Sequence, residues 1–432
     1  MCMLVTLSER LPLLKVLQFR SFTLLWLGQC ISILGDNIFT VALAWQVLIL
    51  TGSAGAMSVV VIARLIPTIV FLLLGGVAAD RLPRRVIMLC SDAGRALVVG
   101  FITLLSGFHA LQLWHLVALS LFFGTVDGFF SPAYQSIQPQ LVPKEMLQAA
   151  NALTRFATLL GAIIGPAIGA LCIAVSGTTS AFALDAFSFV VSALCLVLMH
   201  LPKAQVIQNM QDIDGKEVQP NARLKGMRGV IADVREGLGY VTSSTWLWVT
   251  ISIASLANIT YFGPIAVTLP KLIRDVYHQG AWLLGAAETA GAIGAIAATL
   301  LIGQIQHLHH RGLLAYLALL PCGLSIFLFG LPLPTAIEPC VAMFASVLSG
   351  CSLDIFSLIW ITLLQELVPV EKLGRVSSID MMGSYVFLPV GLALTGVFTD
   401  RFGPAPIFIV DGILTVLLLS IGLCFRDIRH LQ

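Results

Sequence analysis

Long apolar runs, separated by short polar or Gly- and Pro-containing breaks, fill nearly the whole chain. A helix needs about 20 mostly apolar residues to cross the hydrocarbon core of a bilayer. Twelve runs reach that length: residues 21–48, 55–79, 86–107, 113–134, 155–175, 180–201, 246–269, 281–303, 312–331, 338–363, 379–398 and 405–425. The pattern therefore predicts an all-α integral membrane protein with twelve transmembrane helices.

The longest polar stretch separates the sixth run from the seventh and divides the chain into two halves of six runs each. We expect a six-helix bundle over residues 1–201, which begins with a short cytoplasmic amphipathic helix over residues 1–19. A cytoplasmic central loop follows over residues 202–245, and a second six-helix bundle covers residues 246–432.

Composition supports a membrane protein. Of the 432 residues, 58% are hydrophobic and only 11% are charged, whereas soluble domains carry about 25% charged residues. This excludes a soluble enzyme, a secreted disulfide scaffold and a disordered chain. The net charge of +2 gives no polybasic excess for nucleic acid. The nine scattered cysteines form no CxxC pair, so we expect neither a metal nor a redox site.

Basic residues predict the orientation, because cytoplasmic loops are enriched in Lys and Arg. If the amino terminus is cytoplasmic, eighteen of the 24 Lys and Arg residues lie on the cytoplasmic side. The external loops then hold only Lys271, Arg274 and Arg401. We therefore expect both termini in the cytoplasm.

The two halves share a sequence repeat. Leu141–Leu147 after the fourth run matches Leu367–Leu373 after the tenth, 226 residues further along, and the same offset places Gly165 on Gly391. Agreement of sequence, loop number and orientation indicates duplication of a six-helix unit. Parallel six-helix halves around a midplane site are typical of one class of secondary transporter.

The loop after the second run reads Gly76-Val-Ala-Ala-Asp80-Arg81-Leu-Pro-Arg84-Arg85. It resembles motif A of the major facilitator superfamily, G-x-x-x-D-R-x-G-R-R, except that proline replaces the second glycine. We expect Gly76 to permit close helix contact, and Asp80 to sit at a helix N-terminus or to pair with a cation of the neighbouring bundle. The resemblance implies a gating role; the alternative is that the arginines only set topology.

The fifth run contains Gly161, Gly165, Pro166 and Gly169 in the order G-x-x-x-G-P-x-x-G. This resembles motif C of the antiporter branches of the same superfamily, G-x-x-x-G-P-x-x-G-G, except that Ala170 replaces the last glycine. Small residues four apart let two helices pack backbone to backbone, and proline allows a bend. Such a face is also common in membrane bundles in general.

Two further segments, Ser32–Asn37 and Gln148–Leu153, resemble the drug:proton antiporter group that includes macrolide and enterobactin exporters. The resemblance implies two pseudo-symmetric bundles and proton-coupled export by alternating access. A third segment, Gly396–Gly403, also fits the start of motif A, but its predicted place is external. We interpret it as a helix-end cap and external ion pair, with a separate gating role as the alternative.

Ionisable groups inside the apolar runs are costly, at about 2.5–3.5 kcal/mol on insertion scales, and are therefore functional hypotheses. The carboxyl groups best suited to proton or substrate coupling lie in runs that line the cavity of the resembled family: Asp36, Asp127 and Asp354. Glu288 in the eighth run ranks next. For each of them a structural ion pair or cap is the alternative.

Two arginines have predicted structural partners. Asp92 and Arg95 are three residues apart on one helical face and are expected to pair. Arg155, at the start of the fifth run, is expected to pair with Asp80 or Asp127. Several aromatic side chains either line an apolar substrate pocket or belong to the core: Trp45, Phe129, Phe130, Tyr134, Tyr261 and Phe262.

Together these features predict a transporter rather than an enzyme, an exporter of hydrophobic or amphipathic small molecules that acts as a monomer in the plasma membrane. The proton gradient is the expected energy source, without a cofactor, and no GxxxxGK[ST] phosphate loop is present. A lipid or lysolipid flippase and an uncoupled facilitator are the alternative transporters. A membrane-embedded enzyme and a non-transporting receptor are alternatives from other classes.

Overall fold

In the computed structural model, the described residues are 12–199, 227–302, 304, 310–429 and 431. Within these ranges, twelve helices are long and apolar enough to cross a membrane, which confirms the prediction. They are α1 Arg20–Thr51, α2 Ala54–Arg81, α3 Arg84–Gly107, α4 Leu113–Ile137, α5 Leu147–Ser176, α6 Thr178–Leu198, α7 Thr245–Asp275, α8 Ala281–Ile302, α9 Arg311–Phe329, α10 Glu338–Leu367, α11 Lys372–Phe402 and α12 Pro404–Cys424.

Two helix hairpins turn at a glycine. Gly177 ends α5 with a φ of 79°, and Gly403 ends α11 with a φ of 87°. Glycine adopts this left-handed region without the steric cost that a Cβ atom brings. Each hairpin therefore reverses the chain within one residue.

Shorter helices lie outside the membrane-spanning set. Pro12–Gln18 is a 3₁₀ helix where an amphipathic helix is predicted, and the rest of that prediction lies outside the described residues. Met227–Ser243 is an α-helix inside the predicted central loop, whose residues 202–226 are likewise not described. Arg426–Arg429 forms a final turn.

The chain divides into two compact units. The first comprises residues 1–50 and 59–218, and the second comprises 51–58 and 219–432. Each unit thus holds six of the membrane-spanning helices, apart from Thr51 at the end of α1 and the first residues of α2, which belong to the second unit.

The predicted repeat recurs in the packing inside each unit. A Cβ atom added at Gly165 of α5 would lie 2.4 Å from Cβ of Asn37 on α1. A Cβ atom added at Gly391 of α11 would lie 2.9 Å from Cγ2 of Ile259 on α7. The fifth helix of each half thus packs closely on the first helix of the same half, as expected of two pseudo-symmetric bundles.

Large apolar side chains point away from the helix contacts. Leu97 of α3 is 74% exposed and Val175 of α5 is 75% exposed, and many similar side chains are more than half exposed. So many exposed apolar side chains suit contact with lipid acyl chains rather than water.

The helix α7 is not regular along its length. Its segment Pro264–Thr268 is a π-helix, and α-helical geometry resumes at Leu269–Asp275. The hydrogen-bond pattern therefore changes in the middle of this span.

Candidate functional site

Charged side chains converge inside the first unit from five of its helices. They come from α1, α2, α3, α4 and α6 and comprise four acids and two arginines: Asp36, Arg64, Asp92, Arg95, Asp127 and Asp185. We call this group the charge cluster.

Arg95 is the centre of the cluster. Its Nη2 lies 2.6 Å from Oδ1 of Asp92, and its Nη1 lies 3.4 Å from Oδ1 of Asp127. The Asp92 side chain is fully buried, and Oγ of Ser192 donates a hydrogen bond of 2.7 Å to its other oxygen. The predicted pair between Asp92 and Arg95 is present, and Asp127 is joined to it.

Aromatic rings cover both arginines of the charge cluster. The Arg95 guanidinium carbon lies 4.0 Å from the ring centroid of Phe130 and 4.8 Å from that of Phe189. The Arg64 guanidinium carbon lies 4.4 Å from the ring centroid of Phe123. The negative faces of these rings stabilise the cations where water is scarce.

Asp36 is held more loosely than Asp92. Its Oδ1 lies 3.9 Å from Nη2 of Arg64, and both side chains are 30% exposed. The same oxygen has no hydrogen-bond donor among the described residues. Asp36 can therefore change partner at lower cost than Asp92.

Asp185 belongs to the same cluster, although sequence reasoning does not rank it among the coupling residues. It is fully buried, Oγ of Ser188 lies 3.3 Å from its Oδ1, and its Oδ2 has no partner among the described residues. A Cβ atom added at Gly35 of α1 would lie only 2.6 Å from the Asp185 carboxyl group. In the sequence, the residue that could have indicated Asp185 is therefore Gly35, because a glycine at this position of α1 leaves room for the Asp185 carboxyl group.

The motif A arginines bind helix ends. Arg84 donates to the carbonyl oxygens of Ala79 and Ser136, near the ends of α2 and α4, at 3.3 and 3.2 Å. Arg85 donates to those of Leu196 and Val197 at the end of α6, at 2.7 and 2.6 Å. Cations at helix C-termini complement the unpaired carbonyl groups there.

The other motif A residues give a mixed result. Arg81 is exposed, and the side chain of Asp80 lies outside the described part of the structure. The expectation for Gly76 is wrong: a Cβ atom added there would meet no described atom within 4 Å. The preceding residue, Gly75, makes the close contact instead, with a Cβ atom 2.5 Å from the carbonyl oxygen of Gly128 on α4.

The motif C glycines lie against α1. A Cβ atom added at Gly161 would lie 2.6 Å from Ile33, and one at Gly169 would lie 3.1 Å from the carbonyl oxygen of Ile38. With Gly165, they form a face of close backbone contact, and α5 remains helical through Pro166. This face of α5 holds α1, the helix that carries Asp36, in a fixed position.

The remaining predicted residues do not join one site. Arg155 is exposed, and Asp127, one of its two expected partners, pairs with Arg95 instead. In the second unit, Asp354 of α10 accepts a hydrogen bond from Thr299 of α8. Glu288 of α8 is half-buried and forms no ion pair with a described residue.

Asp400, within the segment that resembles motif A at the end of α11, forms a second polar site. Its carboxylate accepts backbone hydrogen bonds from Ala54 and Gly55, both at 2.8 Å. It also pairs with Nζ of Lys271 at 2.6 Å. All these residues belong to the second unit.

Comparison with known proteins gives a family and a set of relatives. The family model of the Major Facilitator Superfamily matches residues 25–352. Macrolide efflux protein A of Streptococcus pyogenes is 26% identical over 412 residues, which cover 95% of this chain and 97% of that protein. Multidrug efflux pump Tap of Mycolicibacterium fortuitum is 26% identical over 439 residues and covers 99% of both chains.

Solved structures share the fold. The nucleoside transporter NupG superposes with a TM-score of 0.70 at 12% identity, over 94% of this chain and 98% of that chain. The inward-open xylose transporter XylE from E. coli gives a TM-score of 0.62 at 15% identity, over 96% of both chains.

Proposed function

We propose that this chain, which belongs to the major facilitator superfamily, exports hydrophobic or amphipathic small molecules in exchange for protons. The chain is a multi-pass membrane transporter and not an enzyme. Similarity to macrolide efflux protein A and to the multidrug efflux pump Tap supports export. The observation that carries proton coupling is the charge cluster.

The charge cluster holds more carboxyl groups than cations. If all its groups were ionised, four carboxylates would face two guanidinium ions and leave two negative charges uncompensated. An unpaired charge in a low-dielectric interior costs several kcal/mol. Proton uptake removes this excess, so the cluster supplies a physical reason for proton binding inside the first unit.

The carboxyl groups of the charge cluster have different roles in this proposal. Asp92 is fixed by Arg95 and Ser192 and serves as a permanent counter-ion. Asp36 and Asp185 each carry an oxygen without a hydrogen-bond partner among the described residues and are the groups that exchange protons. Protonation of Asp36 weakens its attraction to Arg64 and so changes the contact between α1 and α2.

Alternating access is the expected mechanism. A change in the contact between α1 and α2 shifts the equilibrium between the inward-open and outward-open states. The proton acts here as a ligand that binds one of the two states more tightly than the other. We place the protein in the plasma membrane as a monomer, with both termini in the cytoplasm. Motif A then stabilises the outward-facing state from the cytoplasmic side.

Transport in a pump-deficient bacterium tests the proposal. Cells that express the chain are challenged with erythromycin, ethidium and tetraphenylphosphonium, and the efflux of each exported compound is then measured with and without a protonophore. We expect efflux to stop when the proton gradient collapses. Undiminished efflux would identify an uncoupled facilitator instead.

A second measurement addresses the lipid alternative. Purified protein is reconstituted into liposomes that contain a fluorescent lysolipid, and the fraction accessible to external dithionite is followed over time. We expect the same rate as in protein-free liposomes. Faster access, together with no drug efflux in cells, would replace drug export by lipid translocation.

A further inference from the structure

The second unit contains a cavity of about 320 Å³ that is separate from the charge cluster. Its walls come from α7, α9, α10, α11 and α12, and it includes the aromatic side chains of Tyr261, Phe262, Phe356 and Trp360. Drug-sized ligand pockets have volumes of roughly 300–1,000 Å³ and are mostly apolar with a few polar groups. The size and lining suit a compact aromatic or alkyl molecule.

One charged side chain belongs to the described lining of this cavity. Among the described residues around the cavity, Asp380 of α11 is the only one with a charged side chain. The indole Nε1 of Trp360 donates a hydrogen bond of 3.1 Å to Oδ2 of Asp380. The carboxyl group is therefore held in one orientation at the cavity wall.

The nearest basic residues on α11 have partners elsewhere. Nη1 of Arg375 lies 2.7 Å from Oε2 of Glu236, and Nζ of Lys372 lies 4.8 Å from the ring centroid of Tyr240. Neither Arg375 nor Lys372 lines the cavity. No cation among the described lining residues therefore compensates Asp380, and a bound cation would.

Aromatic faces strengthen the preference for a cation. The rings of Phe356 and Trp360 are stacked with centroids 6.1 Å apart, and those of Tyr261 and Phe262 meet edge to face at 5.2 Å. Organic cations bind to the faces of such rings, most strongly to Trp. Carboxylate and rings thus favour the same chemical class of ligand.

We propose that this cavity binds the cationic form of an amphipathic organic molecule, with Asp380 as the charge partner and Trp360 as both aromatic wall and holder of the carboxylate. If the chain is the exporter proposed above, the inference names its substrate class as lipophilic cations and weak bases. The binding site itself does not depend on coupling to protons, because none of its residues belongs to the charge cluster.

Binding of radiolabelled tetraphenylphosphonium to the purified full-length protein in detergent tests the proposal. Asp380→Asn removes the charge and keeps an oxygen that accepts from Trp360, so we expect affinity to fall about tenfold or more. Trp360→Phe keeps an aromatic wall but releases the carboxyl group, and we expect a smaller loss. Asp411→Asn, on α12 and outside the lining, is the matched control and should bind as the wild type does.

A matched pair of competitors separates charge from shape. Phenyltrimethylammonium and tert-butylbenzene have nearly the same shape, and only the first is charged. We expect the cation to displace tetraphenylphosphonium from the wild type more strongly than the neutral compound does, and this difference should disappear in Asp380→Asn. Equal competition in the wild type, or unchanged binding in Asp380→Asn, would overturn the inference.

The two proposals fail in different ways. Export that persists in cells while Asp380→Asn binds the probe normally would refute the cation site and leave the exporter standing. Charge-dependent binding to a protein that exports nothing would keep the cation site and refute the exporter.

Discussion

Asp400 caps the amino-terminal end of α2, because its Oδ1 accepts the backbone N–H of Ala54 at 2.8 Å. Its other oxygen accepts the N–H of Gly55, and Lys271 of α7 neutralises the carboxylate. The first N–H groups of a helix have no partner within the helix. One side chain at the end of α11 thus accepts hydrogen bonds from two of these N–H groups and joins three helix ends.

Asp400→Asn should lower the free energy of unfolding by about 1 kcal/mol, because the negative charge at the start of a helix and the Lys271 pair are both lost. Thermal unfolding of the purified protein in detergent measures the change. Asp275→Asn is the control, since Asp275 pairs with Arg274 where both side chains are about one third exposed, and such pairs contribute little. An equal shift in both variants would contradict the capping role.

Arg95→Leu should destabilise the first unit by about 3–5 kcal/mol, because it leaves Asp92 buried without its counter-ion. The double variant Asp92→Asn with Arg95→Leu should recover most of this loss, since position 92 then holds no buried charge that needs Arg95 as its counter-ion. Thermal unfolding and the yield of folded protein measure both variants. A double variant no more stable than Arg95→Leu would show that packing on Phe130 and Phe189 dominates instead.

Asp36→Asn should abolish uphill export and preserve exchange of substrate across the membrane without a proton gradient. The amide cannot exchange a proton, but it keeps the size of the side chain beside Arg64. Vesicles loaded with an exported compound allow both modes to be measured on one preparation. Asp275→Asn should behave as the wild type; uphill export by Asp36→Asn would remove this residue from the coupling step.

Gly165→Ala should destabilise the first unit or prevent its folding, because the new Cβ atom would lie 2.4 Å from Cβ of Asn37. Gly76→Ala is the matched control within a helix of the same unit. Since its Cβ atom would meet no described atom within 4 Å, it should be neutral, or stabilising by up to about 1 kcal/mol through helix propensity. Equal expression and melting of the two variants would contradict the packing of α5 on α1.

Arg85→Ala should lower stability by about 2 kcal/mol, because it removes two charge-assisted hydrogen bonds to the carbonyl groups at the end of α6. Arg81→Ala removes a charge from the same loop, but its side chain is exposed, so we expect a change of about 0.5 kcal/mol or less. If both variants melt alike, the arginines of this loop act through charge alone.

The twelve spans are predictable because the thickness of a bilayer imposes a minimum length on every apolar run. The pairing of Asp92 with Arg95 is predictable as well, since both residues lie on one helix. The link from Arg95 to Asp127 is not, because it depends on how α3 and α4 rotate against each other. Sequence separation along one helix carries no information about such a rotation.

The neighbouring glycines Gly75 and Gly76 show the same limit of sequence-based prediction within one helix turn. The family pattern points to Gly76, yet Gly75 makes the close contact with Gly128. Successive residues of an α-helix differ by about 100° in direction. A motif can therefore identify the correct turn of a helix and still miss the residue that faces the neighbouring helix.

The π-helical segment Pro264–Thr268 changes the phase of α7. A π turn takes one more residue than an α turn, so every later side chain is advanced by about 100° around the axis. At the last residue of this segment, Thr268 shares a 2.7 Å hydrogen bond with Thr399, and beyond the segment Lys271 pairs with Asp400. The extra residue therefore rotates the end of α7 about the helix axis, and this rotation decides which side of the helix end carries the positive charge of Lys271.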